Sequence, residues 1–305
     1  MSGEVIMAVT LNPALRASYT AGGLSSDGIN PVSRPAYRAG GRGITVARVL
    51  QAFGHDAVIA GLAGGAGGEL IKEDLARTGV ATAFTQILGE PRRIHDFAGP
   101  DGQILRFGEP GPYITTEELG RFAADYRRLV IGAAAVVLSG SLPDGLPAET
   151  YGTLVTYAAD AGVPVFLDAG GEELLHAATH KPDLVLADDR RVRGDASLGS
   201  TLIRLGAGAA VVAETRDDLV RVITEGQEWI ADVTAADVNV TTVSARGALM
   251  AGVVPGHLLG WSWPDRLRHA LALAAVWDAE TEGSDQFDKT AYEQLLTKVS
   301  VKAAA

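Results

Sequence analysis

The sequence predicts an α/β fold in which a mostly parallel central sheet is covered by helices on both faces. Two observations predict it. Short apolar runs rich in Val, Ile and Ala alternate with longer amphipathic stretches, and the runs are apolar at nearly every position rather than at every second one. A strand of that kind is buried on both faces, which is what helices packed above and below a parallel sheet require. The chain has 305 residues, 47% of them hydrophobic, enough for one large core.

The strand candidates are VIMAVTL (5–11), DAVIAGLA (56–63), AAVVLSG (134–140), PVFLDAG (164–170), DLVLAD (183–188) and AAVVAET (209–215). Between them, helical periodicity runs through GITVARVLQAFG (43–54), GELIKEDLARTG (68–79), TEELGRFAADYRRLVIG (116–132) and AETYGTLVTYAADAG (148–162). Thr116 ahead of Glu117 and Glu118 reads as a helix start, and Gly54, Gly79, Gly132 and Gly162 read as stops.

Two stretches break the alternation. Residues 12–38 and 83–110 carry turn dipeptides and alternating polarity without a helical period, and Asp101-Gly102 between RRIHDFAG and QILRFG signals a hairpin. Two β-rich excursions in one α/β chain can pair with each other. The expectation is a small β lid over the mouth of a single α/β domain spanning 1–305.

The formal net charge of −11 argues against a nucleic-acid or membrane-surface partner, because both reward basic surfaces. There is no cysteine, hence no disulfide and no thiolate chemistry, which fits a reducing cytoplasm. No signal peptide or membrane span is expected.

Glycine-rich Gly61–Glu69 follows a strand and opens a helix, but its spacing is loose for a dinucleotide fingerprint, and a tight strand-to-helix turn is the better reading. No phosphate-binding GxxxxGK[ST] occurs. The six histidines show no paired metal-ligand spacing, and no metal site is expected. Ser139-Gly140-Ser141-Leu142-Pro143 follows an apolar strand, at the end where open α/β sheets bind ligands.

Asn12-Pro13-Ala14-Leu15, Ala39-Gly40-Gly41-Arg42-Gly43-Ile44, Val46-Ala47-Arg48-Val49-Leu50, Asp101-Gly102-Gln103, Glu109-Pro110-Gly111-Pro112, Leu138 to Pro143 with Gly145-Leu146-Pro147, and Leu167-Asp168 come in one order. Together, across about residues 8–278, they resemble the 1-phosphofructokinase and tagatose-6-phosphate kinase branch of the ribokinase-like PfkB family. The resemblance implies a three-layer α/β sandwich with a β lid, and magnesium-ATP-dependent phosphorylation of a phosphosugar hydroxyl.

Departures from the family pattern bear on function. The family's T-V-G-A-G-D, whose glycines cradle the transferring phosphate and whose aspartate takes the acceptor proton, is here Thr242-Val243-Ser244-Ala245-Arg246-Gly247. Gly247 stands where the base belongs, and a hydroxyl without a placed base is a poor nucleophile. The sugar-reading aspartate after Asn-Pro-Ala-Leu is Arg16. On the nucleotide side, Asp188 ends the replacement for K-P-N, and Thr215 begins the replacement for a glycine turn. Ala245 lies in the altered signature, and Trp277 stands where the family has small residues by the adenine; a core aromatic is an equal reading for it.

Anion-handling residues remain. By the resemblance, Asn12, Gly40, Gly41, Arg42 (a lysine in the family), Arg92 and Ser139 line the substrate side. With Arg16 and Arg246 added, the cleft is expected to lose two carboxylates and gain two guanidinium groups. Three readings follow, ranked in this order. The first is a kinase homologue, impaired or inactive, that binds an anionic phosphosugar-like ligand without a cofactor. The second is an active magnesium-ATP phosphotransferase with a non-standard base, and the third a structural or regulatory protein. A homodimer through the lid is expected under all three.

Overall fold

A computed structural model describes residues 5–23, 27–188, 198–214, 219–234, 240, 242–277 and 288–304; the side chains of Asp188 and Glu214 fall outside the described set. In chain order the elements are β1 (Ile6–Thr10), β2 (Ala14–Thr20), β3 (Ala36–Gly40), α1 (Arg42–Ala52), β4 (Ala57–Gly64), α2 (Gly65–Arg77), β5 (Ala81–Ile87), β6 (Arg92–Ala98) and β7 (Ile104–Gly108). There follow α3 (Thr116–Val130), β8 (Ala135–Ser139), α4 (Thr150–Asp160), β9 (Val165–Asp168), α5 (Gly171–Ala178), β10 (Leu184–Asp188), α6 (Leu198–Leu205) and β11 (Ala209–Glu214). The rest are β12 (Leu219–Thr224), β13 (Gln227–Asp232), α7 (Val243–Leu258), α8 (Trp263–Val276), α9 (Lys289–Lys298) and β14 (Val301–Ala303).

Every apolar run named from the sequence is a strand of one ten-stranded sheet, ordered β14-β13-β12-β11-β10-β9-β8-β1-β4-β5. From β5 to β11 all neighbours are parallel, and β12, β13 and β14 extend the sheet antiparallel. The both-sides-apolar pattern has its predicted cause. Ile6 and Ala8 of β1 join a core with α1, α7 and α8, while Met7 and Val9 join a second core with α3 and α4 on the other face.

Boundaries moved where capping chemistry outbids periodicity. Thr115, not Thr116, caps α3, in a reciprocal capping box with Glu118. At the predicted stops, Gly54, Gly79 and Gly162 take φ of 79°, 75° and 70°, the left-handed turn that glycine adopts most easily.

A second, four-stranded sheet is ordered β3-β2-β6-β7. The hairpin at Asp101-Gly102 joins β6 to β7, with Gly102 at φ 78°. Residues 83–87, expected in the excursion, belong instead to β5 and the main sheet, where Phe84 and Ile87 face the two cores. Among the described residues no helix is long and apolar enough to cross a membrane.

The glycine-rich stretch is the turn into α2, and it has an internal occupant. Glu90 accepts from the backbone N–H groups of Ala66 at 2.9 Å and Gly67 at 2.8 Å. A Cβ on Gly65 would stand 2.1 Å from Glu90 Oε1, and one on Gly67 2.7 Å from its other carboxylate oxygen. The glycines admit a carboxylate of the same chain onto the helix N-terminus.

Candidate functional site

The C-terminal ends of β1, β8, β9 and β10 converge with the first turns of α1 and α7, as in open α/β sheets that bind ligands past their strand ends. Asp168 ends β9 with no exposure at all. Its Oδ1 accepts from Arg42 at 2.9 Å and also from Arg246, and its Oδ2 accepts from Ser139 Oγ at 3.1 Å. Burial by itself pushes the Asp168 carboxyl up. Arg246 and then Arg42, with hydrogen bonds from Arg246 and Ser139, outweigh it and hold the group below the usual carboxylate range.

Arg246, the largest fully buried side chain among the described residues, is 1% exposed and also donates to the Leu186 carbonyl at 3.2 Å. The sequence expectation that Arg246 faces the cleft is therefore corrected: its guanidinium is buried on Asp168, a carboxylate it shares with Arg42. Arg16 is corrected in the same way. It pairs with Asp96 on β6, which also takes Arg106 at 2.7 Å, so this guanidinium too is engaged within the protein.

Thr242 accepts the Ala245 N–H at 3.0 Å, closing the start of α7 with its own hydroxyl. Gly247 faces α1, where an added Cβ would lie 2.6 Å from Thr45 Cβ and 3.0 Å from the Arg42 carbonyl. Ser244 and Ala245 are buried beside it. A carboxylate at position 247 has no room in this packing.

Arg92 is different. It is half-buried on β6, donates to the Asn12 carbonyl at 3.4 Å, and has no carboxylate partner among the described residues. Burial first, and then the nearby Arg42 charge, lower its pKa from the ordinary arginine value. Asn12 donates from Nδ2 to Ser141 Oγ at 3.3 Å, and its buried Oδ1 has no hydrogen-bond partner. Gly111 presses close by, since a Cβ there would lie 2.6 Å from that oxygen. Gly40 and Gly41 carry β3 into α1, with Gly41 at φ 129°.

A cavity of about 320 Å³ opens over this corner, bounded by Arg42, Ser141, Tyr151, Gly171 and Glu173. Tyr151 donates to the Gly140 carbonyl at 3.1 Å, and burial raises its pKa. Ser139, expected at the ligand, is fully buried with its hydroxyl on Asp168; Ser141 is the serine that reaches the cavity.

On the nucleotide side, Asp188 ends β10 by its backbone and its side chain is outside the described set, as is all of Thr215. Trp277 is 4% exposed and packs in the core on the α7 and α8 face, and its Nε1 has no hydrogen-bond partner. No group of three metal-ligating side chains occurs among the described residues. Asp168, Ser141, Tyr151 and Glu173 were not singled out from the sequence as site residues. A lone charge closing an apolar strand was the available signal for Asp168.

Solved structures share this fold along almost the whole chain. Phosphofructokinase-2 from Escherichia coli superposes with a TM-score of 0.81 at 20% identity, over 97% of this chain and 98% of that one. A carbohydrate kinase from Agrobacterium tumefaciens gives 0.79 at 18%, over 99% and 100%. At that identity the likeness is one of fold. A tagatose-6-phosphate kinase from Staphylococcus epidermidis is 36% identical over 174 residues, 56% of this chain and 54% of the relative. The chain thus spans about half the length of the curated relatives it matches. The pattern of the pfkB family of carbohydrate kinases matches residues 10–191, more than half the chain, and the chain belongs to that family.

Proposed function

We propose that this pfkB-family protein binds a phosphosugar-like anion in the cleft between its two sheets and transfers phosphate to it slowly or not at all. The observation that carries the reading is the Arg246–Asp168 pair, which fills the corner where transfer to a hydroxyl needs an open proton acceptor. Asp168 is a poor base there, because three donors already occupy its oxygens and its pKa is held down.

The groups left over suit a ligand that is both anionic and hydroxylated. Arg92 offers a guanidinium for bidentate phosphate contact, and the orphan Asn12 Oδ1 accepts from a hydroxyl. An Escherichia coli relative is described with fructose 6-phosphate bound, and the curated relatives are tagatose-6-phosphate kinases, so ketose phosphates are the first ligands to try.

Calorimetry with tagatose 6-phosphate, fructose 6-phosphate and fructose 1-phosphate, without nucleotide, tests the binding half. Saturable binding that Arg92→Ala removes is expected. A coupled ADP assay tests the other half, with turnover expected ~10²–10⁴-fold below an intact general-base enzyme. Ordinary kinase turnover would overturn the reading and favour the alternative, a working phosphotransferase in which Glu173, the carboxylate on the cavity wall, takes the proton.

A homodimer through the small sheet belongs to the same proposal. Phe107, Ile104 and Tyr37 of that sheet are 58%, 53% and 41% exposed, and Phe97 packs edge-on to Phe107 at 5.9 Å.

A further inference from the structure

Magnesium-ATP is the cofactor implied by the family, and the residues at the Asp168 corner do not fit a divalent cation. Magnesium needs open carboxylate lone pairs and room for several of its own waters. Asp168 has zero exposure, and both of its oxygens are engaged by Arg42, Arg246 and Ser139. Arg246 goes further than pairing with it. Leu186 of β10 lies directly opposite Asp168 of β9 in the sheet, and the guanidinium bonds both the Asp168 carboxylate and the Leu186 carbonyl. It bridges two adjacent strands at their C-terminal ends, as an ion lodged there would.

We infer that Arg246 is a resident cation, a covalently attached replacement for a divalent metal, which gives this corner a permanent positive charge and lets the cleft hold its ligand without metal. Arg246 offsets the Asp168 charge, and Arg42 on the same carboxylate leaves the corner one net positive charge. Arg42 carries that charge to the wall of the cavity, while Arg246 stays buried behind it. Guanidinium suits the role because it is weakly hydrated and its fork can reach carboxylate and carbonyl together. The anion-binding proposal rests on Arg92 and would survive the failure of this one.

Metal-stripped wild-type protein titrated with Mn²⁺, followed by water-proton relaxation, is expected to show no tight site attributable to Asp168. Its melting temperature is expected to be unchanged by millimolar Mg²⁺, and tagatose 6-phosphate binding unchanged by a chelator. Arg246→Ala is expected to melt lower, and low-millimolar guanidinium to return at least ~2 °C of the loss relative to sodium chloride of equal ionic strength. Micromolar Mn²⁺ binding by wild type that is lost in Asp168→Asn would overturn the inference, as would an Arg246→Ala protein that melts like wild type. Where Arg246→Ala yields no folded protein, the wild-type manganese titration decides alone.

Discussion

Arg246, at the first turn of α7, bonds Asp168 at the end of β9 in a place where the two side chains are 1% and 0% exposed. The pair ties a helix on one face of the sheet to the sheet's own ligand-facing edge, with Arg42 of α1 on the same carboxylate. Such a cluster is stable only while complete, because removing one member leaves a buried charge without compensation.

Asp168→Asn removes the one anion between two buried guanidinium groups. A loss of roughly 3–5 kcal/mol is expected, lowering the melting temperature by on the order of 10 °C. Differential scanning calorimetry checks it.

Gly247 is where helix packing, rather than chemistry, sets the residue. Gly247→Ala is expected to cost ~1–3 kcal/mol through overpacking against Thr45. Gly247→Asp is expected to be at least as unstable and to gain no kinase activity, while adding Thr45→Gly restores part of the stability. Urea denaturation of wild type, Gly247→Asp, Thr45→Gly and the double variant gives the coupling directly.

Acid sensitivity is expected well above the carboxylate range. Burial, and then the nearby His55, push His269 down to about 4, and its Nδ1 shares a short hydrogen bond with the Tyr292 hydroxyl of α9. Between pH ~6.5 and ~4 the unfolded chain binds the proton that the folded chain refuses. Stability therefore falls as pH falls through that window, by up to ~3 kcal/mol from this residue. Asp168, with its depressed pKa, adds nothing until lower pH: its contribution is present above the unfolded carboxylate value and is lost as pH falls through the folded one. Urea midpoints at pH 7 and pH 5 should differ, and His269→Phe should shrink the difference.

Glu90 reaches across from the loop before β6 to cap α2. Glu90→Ala is expected to cost about 1 kcal/mol, in the range of lost N-caps, and to loosen the start of α2 in hydrogen exchange.

If the small sheet is a dimer face, Phe107→Glu converts dimer to monomer in multi-angle light scattering without lowering the melting temperature of the isolated chain, because the side chain is already exposed. A wild-type monomer at all concentrations would remove the proposal.

The six apolar strands, the helices between them, the glycine stops and the 101–102 hairpin were legible in the sequence, because periodicity and backbone preference act over a few residues; the order of the strands across the sheet was not. Gly247 stood out in the sequence too, as an absent side chain at a position of the resembled motif. What the sequence could not yield was the fate of its charges. Arg16 and Arg246 read as two cations added to a cleft, yet Asp96 lies 80 residues from the first and Asp168 lies 78 from the second, and each engages its partner inside the fold. Likewise Gly247 reads as a lost catalyst, while only the approach of α7 to Thr45 shows that a side chain there would not fit. Local chemistry wrote the elements. Which charges meet, and which remain for a ligand, was decided by packing distant segments into a low-dielectric corner, where an unpaired charge is too costly to keep.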